Sequence, residues 1–225
     1  MSVEITEGDC LEVLKGMKAG SVDAVITDPP YGMNYKGAGT VKQGKFTDIT
    51  NDATFDKEWQ TAWMRACYRV LKDDRHFYCF CSEHHVGEFR EAIVEAGFNL
   101  KRMLVWYKKR SGVNREALGG YLPTTELILF AHKGQRDLIR GPQQNLLDIA
   151  GIAKMEFHPT EKPPGVLRPL ILNSTKEGET VLDPFAGSGS LGVAAKEENR
   201  GAILIELEPK YVEYMTSRLA QEGLF

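Results

Sequence analysis

Four cysteines in 225 residues are too few to staple a secreted domain. They stand at Cys10, Cys67, Cys79 and Cys81, without the C-x-x-C pair and companion ligands that a structural zinc site needs, so no metal site is expected. Cys79 and Cys81 alternate along an apolar segment and share one face, which marks them as reduced, buried thiols. No apolar run approaches the roughly 20 residues that cross a bilayer. The acidic start, Met1 to Glu7, lacks the basic opening and long apolar stretch of a secretion leader, so the expected location is the cytoplasm. Repeats and low-complexity tracts are missing. So are the G-x-G-x-x-G spacing of a dinucleotide site and the G-K-[ST] ending of a phosphate loop. An excess of positive charge is also lacking. A net charge of −3 argues against a protein that coats nucleic acid with its whole surface.

What the chain does have is an ordinary globular composition, 42% hydrophobic and 26% charged, at a length that suits one domain over residues 1–225. The charge is unevenly spread. Residues 101–140 hold nine Lys and Arg against three Asp and Glu, a local balance of +6 that leaves −9 for the rest. One basic block on an acidic body reads either as a solvated surface or as a face that meets phosphates.

Apolar strand-like runs alternate with helix-like ones. Strands are expected at 3–6, 24–27, 77–81, 100–107, 126–132, 180–182 and 202–206. Helices are expected at 10–17, 56–71, 83–96, 164–173, 189–198 and 209–219. In 56–71, Trp59, Trp63, Ala66, Cys67 and Val70 recur at three- and four-residue steps. Continuous apolar strands separated by helices predict an α/β fold, a doubly wound, mostly parallel seven-stranded sheet covered on both faces. Two long irregular stretches, 32–55 and 133–163, interrupt the pattern.

Ligands of such sheets bind beyond the carboxyl ends of the strands, so the strand ends hold the candidates. One strand runs into Asp28-Pro29-Pro30-Tyr31. Two prolines stiffen the chain and remove two amide hydrogens. The Asp28 carboxylate and the Pro29 carbonyl then form a rigid acceptor pair suited to a planar amino group. Accepting both of its hydrogens pulls the nitrogen toward tetrahedral geometry and frees its lone pair, which is stabilisation by preorganised dipoles. Tyr31 offers a ring for a base to stack on. A plain turn is the competing reading.

A second strand runs into Asp183-Pro184-Phe185-Ala186-Gly187-Ser188-Gly189 and then a helix of small residues, a nucleotide-site arrangement. Glycines there let backbone approach a ligand closely. Glu206 ends the following strand and could accept from two ribose hydroxyls. Asp9, with Cys10 beside it, ends the first strand and either accepts from an adenine amino group or caps the next helix.

Together these residues resemble the amino-group DNA methyltransferases of the N6-adenine and N4-cytosine type over about residues 3–219. The catalytic tetrapeptide of that family is matched by Asp28-Pro29-Pro30-Tyr31. Its S-adenosylmethionine loop is matched by 183–189, its ribose acid by Glu206 and its adenine-contacting acid by Asp9. Its methionine-side motif is matched by the stretch from His158 through Thr160 to Lys162. The resemblance implies a cofactor, S-adenosylmethionine, and DNA as partner. With the catalytic motif ahead of the cofactor loop, the order resembles the β subgroup, a circular permutation of the fold. Aspartate at the first motif position leans toward adenine N6, with cytosine N4 as the alternative. Transfer to RNA or to a protein glutamine, and a catalytically silent nucleic-acid-binding subunit, are more distant readings. Lys36, Lys108, Lys109, Arg110 and Arg115 are the expected phosphate contacts. The segment corresponding to target recognition, 133–157, is short, so either sequence specificity is loose or base reading falls to the 32–55 loop or to a homodimer.

Overall fold

The computed structural model describes residues 2–32, 54–109, 120–151 and 161–221. Five of the expected site residues, Lys36, Arg110, Arg115, His158 and Thr160, lie outside the described residues, as does most of the 32–55 loop.

One sheet organises the chain. Its strands are β1 (Val3–Glu7), β2 (Val22–Thr27), β3 (Leu71–Cys81), β4 (Asn99–Tyr107), β5 (Thr125–Lys133), β6 (Leu146–Asp148), β7 (Thr180–Asp183) and β8 (Gly201–Glu206). They are ordered β1-β8-β7-β2-β3-β5-β4-β6. β5 runs antiparallel to both β3 and β4, and every other pairing is parallel. The expected mostly parallel sheet is therefore present, with eight strands rather than seven. The extra strand, β6, lies in the stretch read as irregular. It has three residues, two of them exposed, too few to produce an alternation signal.

The helices α1 (Cys10–Gly16), α2 (Lys57–Val70), α3 (Val86–Glu95), α4 (Pro164–Ser174), α5 (Ser190–Glu197) and α6 (Pro209–Gln221) cover the two faces three by three. Strand alternation assigns the faces. Val25, Phe77, Cys79, Leu129 and Leu182 pack under α1, α2 and α3. Ala24, Ile26, Tyr78, Phe80, Ile128 and Val181 pack under α4, α5 and α6. Cys79 and Cys81 share the first core and all four thiols are free and buried, as the spacing implied. Among the described residues no helix is long and apolar enough to cross a membrane.

Local chemistry places the helix starts. Asp9 caps α1 by accepting from the amides of Leu11 at 2.9 Å and Glu12 at 3.3 Å. Asp56 caps α2 through the Trp59 amide at 3.1 Å. α4 opens on Pro164, whose missing N–H costs nothing in a first turn. β7 sits beside β2, with β8 between β7 and β1, and the winding direction reverses between β7 and β2. Ligands of doubly wound sheets bind at such a reversal.

Candidate active site at the carboxyl edge of the sheet

Four acids end four adjacent strands on this edge: Asp9 after β1, Glu206 in β8, Asp183 in β7 and Asp28 after β2. The middle of the row is stitched directly. Thr27 Oγ1 donates to Asp183 Oδ1 at 2.7 Å, which joins the proline corner to the glycine bend. The two motifs share one cleft, lined by Thr27, Asp28, Phe80, Lys162, Asp183 and residues of the bend among others.

The bend is held from several sides. Gly187 and Gly189 have φ of 51° and 77°, the left-handed region that glycine enters without strain. The Gly187 amide donates to Glu206 Oε2 at 2.7 Å, and Glu208 N donates to Oε1 at 2.9 Å. Glu206 thus shapes the loop as well as facing outward, and each of its oxygens keeps a second lone pair for a ligand. The Phe185 amide donates to Asp183 Oδ1 at 3.1 Å. Phe185 packs on Trp59 and Trp63, which fixes the turn to α2. Arg218 from α6 binds Glu161 at 2.8 Å and the Ser188 carbonyl at 3.1 Å, tying the segment before α4 to the bend.

Asp183 is buried, and burial pushes its carboxyl up to about 7, against the pull of the Thr27 hydroxyl and the Phe185 amide. Cys10 lines the core rather than the cleft; burial pushes its thiol up to about 12, so only its backbone can serve a ligand.

The proline corner is equally constrained. Gln60 Nε2 donates to the Pro30 carbonyl at 2.8 Å, and Trp63 Nε1 donates to Gln60 Oε1 at 2.7 Å. Pro29 is buried. The Tyr31 hydroxyl donates to Asp28 Oδ1, and its ring meets Phe89 edge-on at 6.1 Å. Tyr31 is therefore seated against the carboxylate in this state.

Lys162 is where the structure adds most. The sequence places it beside the methionine end of the cofactor. Its ammonium instead contacts Asp28 Oδ2 and lies 3.3 Å from Glu126 Oε2, over the Phe80 ring. Burial opposes its charge, but the two carboxylates outweigh that and raise its pKa. Burial raises Asp28, while Lys162 pulls it down. Lys108 completes the row at 3.3 Å from Glu126 Oε1. It is turned inward, with 14% of its side chain exposed, and is not the free phosphate contact expected of it. Lys109 stays near the surface, 3.1 Å from Asp148.

Glu126 escapes sequence reading. It opens a strand, and only the antiparallel course of β5 brings a strand's start to the carboxyl edge of its neighbours. Nothing in the residue pattern fixes that direction. Glu161 sat inside a recognised motif but carried no spacing signal of its own.

A cleft with a glycine bend on one side, itself hydrogen-bonded to Glu206, and the Asp28 carboxylate on the other can hold a nucleoside cofactor beside an amino substrate. That defines the class as methyltransferases of the S-adenosylmethionine-dependent α/β fold. A family model for N6/N4 DNA methylases matches residues 22–217. YubD of Escherichia coli (strain K12), described as a methylase, is 37% identical over 216 residues, covering 95% of this chain and 88% of that one. The crystal structure of the M1.HpyAVI-SAM complex superposes with a TM-score of 0.73 at 26% identity, covering 96% and 98% of the two chains. The PvuII DNA methyltransferase, whose title reads cytosine-N4-specific, shares the fold with a TM-score of 0.76 at 20% identity, covering 97% and 86%. The chain belongs to the N6/N4 DNA methylase family.

Proposed function

We propose that this DNA methyltransferase transfers the methyl group of S-adenosylmethionine to the exocyclic N6 of adenine in DNA. One observation carries the reading: Asp28 and the glycine bend open into one cleft, joined through Thr27 and Asp183 at 2.7 Å. S-adenosylmethionine supplies, when bound, a methyl group on a positively charged sulfur. The row of acids at the strand ends suits that charge. In this reading Glu206 and Asp9 serve the ribose and adenine, and the 183–189 bend the rest of the cofactor; their positions at adjacent strand ends support it.

The target adenine leaves the stack, at a cost of a few kcal/mol. Asp28, together with the Pro29 carbonyl, accepts the two amino hydrogens and directs the nitrogen lone pair into the cleft. S-adenosylmethionine, held by the bend, would supply the methyl to this nitrogen in line and leave as S-adenosylhomocysteine, and the proton the nitrogen loses would pass to solvent water. Asp28 also stabilises the positive charge that grows on the nitrogen. Aspartate at position 28 favours adenine over cytosine.

Mass analysis of nucleosides from DNA incubated with the protein and methyl-labelled cofactor tests this. The expected product is labelled N6-methyladenine. Labelled N4-methylcytosine would reassign the base, and unlabelled DNA would refute the activity.

A further inference from the structure

The buried contact between Lys162 and Asp28 puts a donor beside an acceptor where the target amino group must sit. We propose that Lys162 is a base-contacting residue, donating to the ring nitrogen next to the amino-bearing carbon while Asp28 accepts from the amino group. The inference rests on the function proposed above and names what its site reads.

Three observations carry it. Asp28 Oδ2 and Lys162 Nζ touch and line the same cleft, the closeness that adjacent atoms of one ring edge require. Glu126, 3.3 Å behind the ammonium, and the Phe80 ring, 5.2 Å from it, hold Lys162 in the cleft wall rather than in solvent. An ammonium turns its three donors about a flexible stem, so it can keep Asp28 and still meet a ring nitrogen. Glu126 acts through Lys162 and is a positioning residue.

An acceptor next to a donor fits the edge that adenine presents with N6–H and N1, and that cytosine presents with N4–H and N3. Thymine at O4/N3–H and guanine at O6/N1–H present the reverse, a carbonyl followed by an N–H. Their oxygen would face the Asp28 carboxylate and their hydrogen the Lys162 ammonium, two repulsions that reject them. The ion pair thus favours the adenine and cytosine edges over those carbonyl edges before methyl transfer begins.

The test uses duplex DNA whose methylated base has been mapped, remade with 1-deazaadenine at that position, or 3-deazacytosine if the product is N4-methylcytosine. Single-turnover rates are compared on natural and deaza DNA. The wild-type chain is expected to lose roughly tenfold to a hundredfold on the analogue. Lys162→Met should treat the two substrates nearly alike, and Glu126→Gln should narrow the ratio. Equal wild-type rates on both DNAs overturn the inference and leave the methylation standing. A loss that persists undiminished in Lys162→Met assigns the ring nitrogen to another group and also overturns it. Absence of transfer to natural DNA removes the functional reading first. The wild-type comparison needs no variant, so it holds whether or not Lys162→Met folds.

Discussion

Asp23 and Asp28 bracket the same strand and are treated in opposite ways. Asp23, near the start of β2, is saturated: Oδ1 accepts from Lys72 at 2.7 Å and from Arg75 Nη2 at 3.1 Å, and Oδ2 accepts from the Thr180 amide at 3.1 Å. Arg75 continues to Glu179 at 3.0 Å, so the cluster closes on itself. Asp28, at the other end, shares a single ammonium with Glu126 and lies open to a cleft beside Asp183, for which no cation is within ion-pair reach among the described residues. One edge of the sheet spends its charges on stability. The other holds charges short of compensation, and shifted carboxyl groups of that kind are characteristic of chemistry.

Breaking each end separately sharpens the contrast. The largest effect is expected from Asp28→Ala, which removes the amino-group acceptor: single-turnover methyl transfer should fall by about 10²–10³-fold while cofactor binding by calorimetry survives. Asp23→Ala should do the reverse. It strands two cations, one of them half solvated, and should cost about 2–3 kcal/mol in urea unfolding, with the transfer rate of the folded protein unchanged. Gly189→Ala should cost about 2 kcal/mol and weaken cofactor binding, because the residue holds φ 77° and a Cβ there would meet Met215 Cγ at 2.7 Å.

The smallest effect concerns pH. Asp183 has its carboxyl raised by burial from 3.8 to about 7, so the folded chain binds that proton more tightly than the unfolded one. Stability should therefore fall as pH rises from 3.8 to about 7 and level off above. Asp183→Asn should flatten that slope, by roughly 1–2 kcal/mol between pH 5 and pH 8 in denaturant midpoints.

Much of the fold was legible because the strands under both helix layers are continuous apolar runs, and Pro, Gly and Asp punctuate their ends. β6 was not, since three half-exposed residues carry no period. β3 begins at Leu71, directly after α2, where Lys72, Asp73 and Asp74 look like a turn. At the site, both motif corners and their shared cleft followed from strand ends alone. The readings of Asp9 as ligand or cap stayed level in the sequence; the structure shows a cap made through Oδ1, which is compatible with both. Lys162 was found in its motif, but its contacts with Asp28 and Glu126 were not, because the motif says where the chain runs and not which carboxylate lies across the sheet. Glu126 and the inward turn of Lys108 depend on strand direction, which no single residue encodes.

A crystal structure of the chain with S-adenosylhomocysteine tests the central claim most directly. The account predicts the adenosine beside Glu206 and Asp9, with the sulfur turned into the space between Asp28 and Asp183. A ligand seated at the Asp23 edge, or one whose sulfur points away from Asp28, would contradict it.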